Sequence, residues 1–274
     1  MTQSFFTAVS PLAKTMPAEL RTERRNQTLV LTISDPATRN TLSPQVCDAG
    51  VEALGVAESN PELRCVVITG DADHFCAGGN LQRLAANREL GREAQRAQLA
   101  KLNQLVEAIR AFPKPVIAAV EGVAAGAGFS LALACDLVVA AQDAKFIMAY
   151  NKVGLSPDGG ATWHLMQALP RALALQLIWL AEPASAQQLQ QLGLVNRVTD
   201  KGRALDEALR MADTLAGFAA GALASGKELV NNWPQHTLGA QLGAEQEHFV
   251  QNLFDANGGE GLQAFFDKRA PRFG

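Results

Sequence analysis

Two stretches of this sequence place small residues where a strand gives way to a helix, an arrangement able to hold an oxygen that carries negative charge. The longer, PVIAAVEGVAAGAGFSLALACD at 115–136, begins as an apolar run at 116–120. It passes through glycines at 122, 126 and 128 and becomes helical in pattern at 129–134. The first N–H groups of a helix have no acceptor within it, so they remain available to an anion. Glycine lets a ligand atom come close to the main chain, and the scarcity of charged side chains keeps the local dielectric low. The same composition also suits a tightly packed junction with no ligand. The second stretch, DADHFCAGGNL at 71–81, follows the apolar run CVVITG and leads into a helix-forming segment. If the two strands are neighbours, the N–H groups around 77–79 and 126–128 can face one shared point.

Other chemistry is poorly supported. GFSLA at 128–132 approximates G-x-S-x-G but lacks the last glycine and sits inside an apolar run, which argues against a hydrolase nucleophile. Leu131 stands where the third glycine of a dinucleotide-binding G-x-G-x-x-G belongs. His164, His236 and His248 have no ligand spacing, and neither do the four cysteines, so no metal is predicted. His74, just before the second junction, either touches a ligand or is solvated. Cysteines in apolar contexts suit reduced thiols and a cytoplasmic location. The net charge of −3 gives no global attraction to nucleic acid or to an anionic membrane, so an anionic ligand must be caught by local positive charge. Neither a secretory leader nor a spanning segment is read from the pattern.

The elements that would position these junctions follow from periodicity. Strands are predicted at 28–34 and 65–70. Between them Ser43-Pro44, an N-cap followed by proline, opens a helix to about residue 59. One polar helix is predicted from 82 to about 111, stopped by Pro113 and Pro115 ahead of the central strand. LVVAA and KFIM after Asp136 read as strands, and KVGLSPDGG at 152–160 as a loop opening a helix at 161–169. From Arg171 onward the pattern is mostly helical, with a short strand near 194–198. Residues 1–20 have no clear period, and Arg21 to Arg25 reads as a solvated turn. The fold class is therefore α/β, with a β/α core and a helical C-terminal segment.

Four motifs, FCAGGNL at 75–81, GVAAGAGFSLALACDLVVA at 122–140, GLSPDGG at 154–160 and AFFDKRAPRF at 264–273, resemble the enoyl-CoA hydratase/isomerase (crotonase) superfamily. They occur in that family's order and cover nearly the whole chain from Thr28. The resemblance implies a ββα spiral core over residues 1–200 that carries an acyl-CoA site. A helical segment over 201–274 would assemble the chain into a homotrimer or hexamer. It implies no cofactor beyond the coenzyme A of the substrate.

The same resemblance assigns residues. The backbone N–H groups of Ala77 and Ala127 would form an oxyanion hole for the thioester carbonyl, in company with Gly78, Gly79, Asn80, Leu81 and Gly126. Ser130 and Tyr150, implied as substrate contacts, stand where the family's hydratases carry two glutamates, and a tyrosine with a pKa near ~10 is a poor base at neutral pH. Asp158 occupies a position where several isomerase branches, including the ring-epoxide isomerase of aerobic phenylacetate breakdown, place a catalytic carboxylate. Its alternative use is to cap the helix that follows. Arg39 and Lys268 are implied near the coenzyme A, and Phe265 near a neighbouring subunit's acyl pocket. The implied activity is that of an enoyl-CoA double-bond isomerase with Asp158 as acid/base. The alternatives are an enoyl-CoA hydratase and a non-catalytic acyl-CoA-binding protein.

Overall fold

A computed structural model describes residues 18–274. Most of the 1–20 stretch, to which the sequence assigns no role, lies outside the described residues. In chain order the elements begin β1 (Glu19–Arg25), β2 (Thr28–Ser34), α1 (Pro44–Ser59), β3 (Cys65–Gly70), α2 (Leu81–Leu90) and α3 (Arg92–Ala111). The central part comprises β4 (Val116–Val120), β5 (Val123–Ala125), α4 (Ala127–Ala134), β6 (Leu137–Ala141) and β7 (Lys145–Ile147). There follow α5 (Ala161–Ala168), α6 (Arg171–Leu180), β8 (Ala184–Ser185), α7 (Ala186–Gln191) and β9 (Arg197–Thr199). The chain closes with α8 (Ala204–Ala216), α9 (Ala220–Asn232), α10 (Leu238–Phe254) and α11 (Ala256–Phe266).

A six-stranded sheet in the order β1-β2-β3-β4-β6-β9 forms the centre, and β5, β7 and β8 form a smaller one. In the large sheet β1 runs antiparallel to β2 and the remaining neighbours are parallel. The runs CVVITG and VIAAV are apolar without alternation because both of their faces are covered. Val66 and Ile68 face the larger apolar core with Val116 and Ala118, while Cys65 and Val67 face a second core with Ile117 and Ala119. That second core is closed by Ala204, Ala208, Met211 and Ala212 of α8. Thus α8, placed by the sequence in the C-terminal segment, packs on the sheet, and the helices that stand away from it begin at α9.

Three predictions need correcting here. The arginine run at 21–25 is a strand, not a turn, and its charged side chains pair with Glu19, Glu23, Glu62 and Asp71 on the sheet's exposed edge. Charge on an edge strand discourages pairing with another chain, and it also hides the strand's alternation. The single helix predicted over 82–111 is two, because Gly91 takes φ 100° between them. The last strand also sits slightly later than predicted, at Arg197–Thr199.

Asp136, between α4 and β6, ties the extension to the core. Its carboxylate accepts from the Val116 N–H at 2.8 Å and from Lys227 Nζ of α9 at 2.8 Å, and Lys227 also donates to the Ile109 carbonyl. Burial pushes the Asp136 carboxyl above the usual range, and the lysine opposes that shift.

Candidate active site

The two small-residue junctions meet as expected, because β3 and β4 are adjacent parallel strands. After β3 the chain continues alongside β5: Cys76 donates to the Val123 carbonyl at 3.0 Å, and its own carbonyl accepts from Ala125 at 2.9 Å. Glycines make this approach possible. Gly78, at φ 87°, lies so close to the other junction that a Cβ there would stand 2.5 Å from the Ala125 carbonyl oxygen and 3.0 Å from the Ala127 nitrogen. A Cβ on Gly128 would stand 2.1 Å from the Cys76 carbonyl oxygen.

The donors differ in part from those implied by the sequence. The Ala77 N–H is spent on the carbonyl of Arg39, 3.0 Å away, so it is not free for a ligand. The Gly79 N–H has no acceptor among the described residues, and neither does that of Ala127, the first residue of α4. Both residues line one cavity of about 940 Å³, together with Leu81, Gly126, Tyr150 and Asp158. Gly79 thus carries the unpaired N–H of this loop, whereas the Ala77 N–H anchors it. The sequence could not show this, because the competing acceptor comes from a left-handed turn at Arg39 and Asn40, φ 58° and 59°, far away along the chain.

Asp158 is placed by the two glycines after it, Gly159 and Gly160, at φ 58° and 77°. A Cβ on Gly159 would meet Ser130 Cβ at 3.1 Å, so the loop lies directly against α4. The side chain of Asp158 does not cap α5. Gly160 is the residue before that helix, and only the Asp158 carbonyl accepts, from the Ala161 N–H at 3.2 Å. Its carboxylate instead receives the Tyr150 hydroxyl at 2.7 Å on Oδ1. The Tyr150 oxygen lies 3.0 Å from Ser130 Oγ, and the Ser130 hydroxyl is also 3.3 Å from the Gly126 carbonyl. Burial raises the Asp158 pKa, and the hydrogen bond from Tyr150 lowers it in part. Burial first, and then the Asp158 charge, drive the phenol well above its usual value, so Tyr150 is a neutral donor. His164 nearby is held at about 4 by burial, with Arg110 adding to the effect, and is neutral.

Several residues implied as substrate contacts do not line this cavity in the single chain. Ser130 is fully buried behind Tyr150 and does not line the cavity. Asn80 caps α2, its side chain accepting from the Arg83 N–H at 3.1 Å. The Arg39 side chain is exposed and outside the cavity lining. Phe265 and Lys268 do not line their own chain's cavity, and Phe265 is 77% exposed. His74 is likewise off the cavity, its Nδ1 buried without a partner beside Gly122. Among the described residues no cluster of His, Cys, Asp and Glu could hold a metal ion, and no helix is long and apolar enough to cross a membrane.

An α/β core whose cavity is lined by two unpaired backbone N–H donors and a half-buried carboxylate has the groups to hold a carbonyl oxygen that gains negative charge. Residues 23–274 match the family model described as "Enoyl-CoA hydratase/isomerase". A 1,2-epoxyphenylacetyl-CoA isomerase of Escherichia coli (strain K12) is 36% identical over 250 residues, 89% of this chain and 94% of the relative. A 2,3-dehydroadipyl-CoA hydratase of the same organism is 35% identical over 260 residues, 93% of this chain and 98% of the relative. The crystal structure of an enoyl-CoA hydratase from Polaromonas sp. JS666 superimposes with a TM-score of 0.92 at 56% identity, covering 93% of this chain and 99% of that one. The chain belongs to the enoyl-CoA hydratase/isomerase family, and its α/β core with a helical C-terminal segment is the crotonase fold.

Proposed function

We propose that this protein isomerises an enoyl-CoA, moving a carbon–carbon double bond with Asp158 as the sole proton carrier. The observation that carries this reading is that Asp158 is the only carboxylate among the described residues lining the cavity that holds the Gly79 and Ala127 donors. Its carboxylate takes a proton from Cα of the thioester, and the electron pair moves to the carbonyl oxygen as an enolate. The N–H groups of Gly79 and Ala127 hold that oxyanion, each such donor being worth about 10²–10³ in rate. The same carboxyl then returns the proton to Cγ, which leaves the double bond shifted and the composition of the substrate unchanged. Ala77 contributes by fixing the loop, not by donating.

Hydration is the second reading, favoured by the names of relatives such as the dehydroadipyl-CoA hydratase. It needs a group to activate water, and the two candidate positions hold Ser130, which is buried, and Tyr150, whose hydroxyl already donates to Asp158. Mass spectrometry of the products from a panel of enoyl-CoA thioesters separates the readings, because isomerisation conserves mass and hydration adds one water.

The reading extends to assembly. Phe249, Phe254, Phe265 and Phe266 on α10 and α11 are exposed in the single chain. Neighbouring copies in a trimer or hexamer cover them and bring Phe265 and Lys268 toward a neighbour's acyl-CoA. Sedimentation at micromolar concentration tests this, and a monomer there contradicts it.

A further inference from the structure

We propose that Tyr150 is the positioning residue for the base, holding the Asp158 carboxylate through Oδ1 while Ser130 holds the phenol from behind. This rests on the reading of Asp158 as the proton carrier. The three side chains come from separate elements: Ser130 from α4, Tyr150 from the 149–153 turn, and Asp158 from the glycine-rich loop before α5. Their oxygens form a continuous chain, 3.0 Å from serine to phenol and 2.7 Å from phenol to carboxylate.

Donor capacity fixes the direction of this chain. A carboxylate only accepts, so the single phenol proton goes to Asp158. The serine hydroxyl then donates to the phenol oxygen or to the Gly126 carbonyl, the acceptors within its reach. Ser130 is fully buried, so water does not compete for the back of the chain. A carboxylate on a flexible loop would rotate about its terminal torsion. With Oδ1 engaged, Oδ2 is the oxygen left for the substrate, and the carboxyl plane is held while the proton is carried between two carbons.

The arrangement also sets the pH at which the base is available. A hydrogen bond to the charged form favours ionisation and offsets part of the cost of burial. The remaining titratable groups around this cavity and loop are Arg88 of α2, Arg92 of α3, Cys47 of α1, Lys152 of the 149–153 turn, and His164 of α5 with Arg110 behind it. Only Tyr150 hydrogen-bonds the Asp158 side chain among the described residues.

The test compares the parent with Tyr150→Phe, which keeps the ring and removes the donor, and with Ser130→Ala. The pH profile of kcat/KM is measured, and the Asp158 carboxyl is titrated directly by ¹³C NMR. Loss of a hydrogen bond to a charged acceptor is expected to move the acidic limb up by about one pH unit in Tyr150→Phe, with about a tenfold fall in kcat/KM well below the parent's midpoint. KM should change little, and Ser130→Ala should shift the limb in the same direction by less. An NMR midpoint unchanged in Tyr150→Phe overturns the positioning role whatever the kinetics show. A midpoint that rises while the kinetic profile stays fixed upholds the positioning of Asp158 and removes Asp158 from proton transfer, which would overturn the proposed function instead.

Discussion

The backbone N–H of Ala77 points at the carbonyl oxygen of Arg39, 3.0 Å away, and that bond decides which donors face the cavity. With Ala77 engaged, the free N–H of the loop is that of Gly79, and the neighbouring glycines can be told apart by substitution. Gly78→Ala would put a Cβ 2.5 Å from the Ala125 carbonyl in a residue at φ 87°, forcing the two junctions apart. Steady-state kinetics are expected to show kcat lower by about 10²–10³, the size of one lost oxyanion donor. For Gly79→Ala the nearest atom to the new Cβ is Leu84 Cδ1 at 3.8 Å and the N–H is retained, so kcat should stay within severalfold of the parent.

Asp158 is placed against the interests of stability. Its pKa is raised by burial, so the ionised form is disfavoured in the folded state. A group whose folded pKa is raised stabilises the fold below its unfolded pKa and loses that contribution as pH rises through the folded value. Asp158→Asn is neutral at every pH and can still accept the Tyr150 hydroxyl. Thermal unfolding is expected to give this variant a higher Tm than the parent at neutral pH, with the difference shrinking as the parent's carboxyl is protonated in acid. A lower Tm at neutral pH would mean that the ionised carboxylate is better compensated than its surroundings indicate.

Much of the framework was legible because it is repetitive: apolar runs with both faces covered, an N-cap with proline at Ser43-Pro44, and glycines at the junctions. Side-chain partnerships across the fold were not. Ser130 and Tyr150 stand out in the sequence only as two missing carboxylates. That they form one chain with Asp158 depends on glycines 159 and 160 turning the loop back against α4. The break at Gly91 was hidden by good helix formers on both sides, and the edge strand at 19–25 by its charges. The Gly79 donor was hidden for a different reason, since which N–H is free depends on where a distant carbonyl lands.

Lys268 follows α11 at φ 54° and is exposed in the single chain. Its expected role is to meet the phosphates of coenzyme A at a neighbouring subunit, where the chain's acidic balance leaves anion capture to local cations. Titration calorimetry of Lys268→Ala with coenzyme A should show weaker binding at low ionic strength and a gap that narrows as salt screens the charge. Equal affinity of parent and variant at low salt would contradict the assignment.

The central claim is that Asp158 alone carries the proton and that the enzyme isomerises. It is tested most directly by following a β,γ-enoyl-CoA in D₂O by NMR with the parent and with Asp158→Asn. The parent is expected to move the double bond into conjugation and to place solvent deuterium at Cα or Cγ. The variant should bind the thioester with little change in affinity while exchange and isomerisation both fall by about 10²–10⁴. Rapid hydration of crotonyl-CoA by the parent, at a rate that Asp158→Asn leaves intact, would contradict both the isomerase reading and the role given to Asp158.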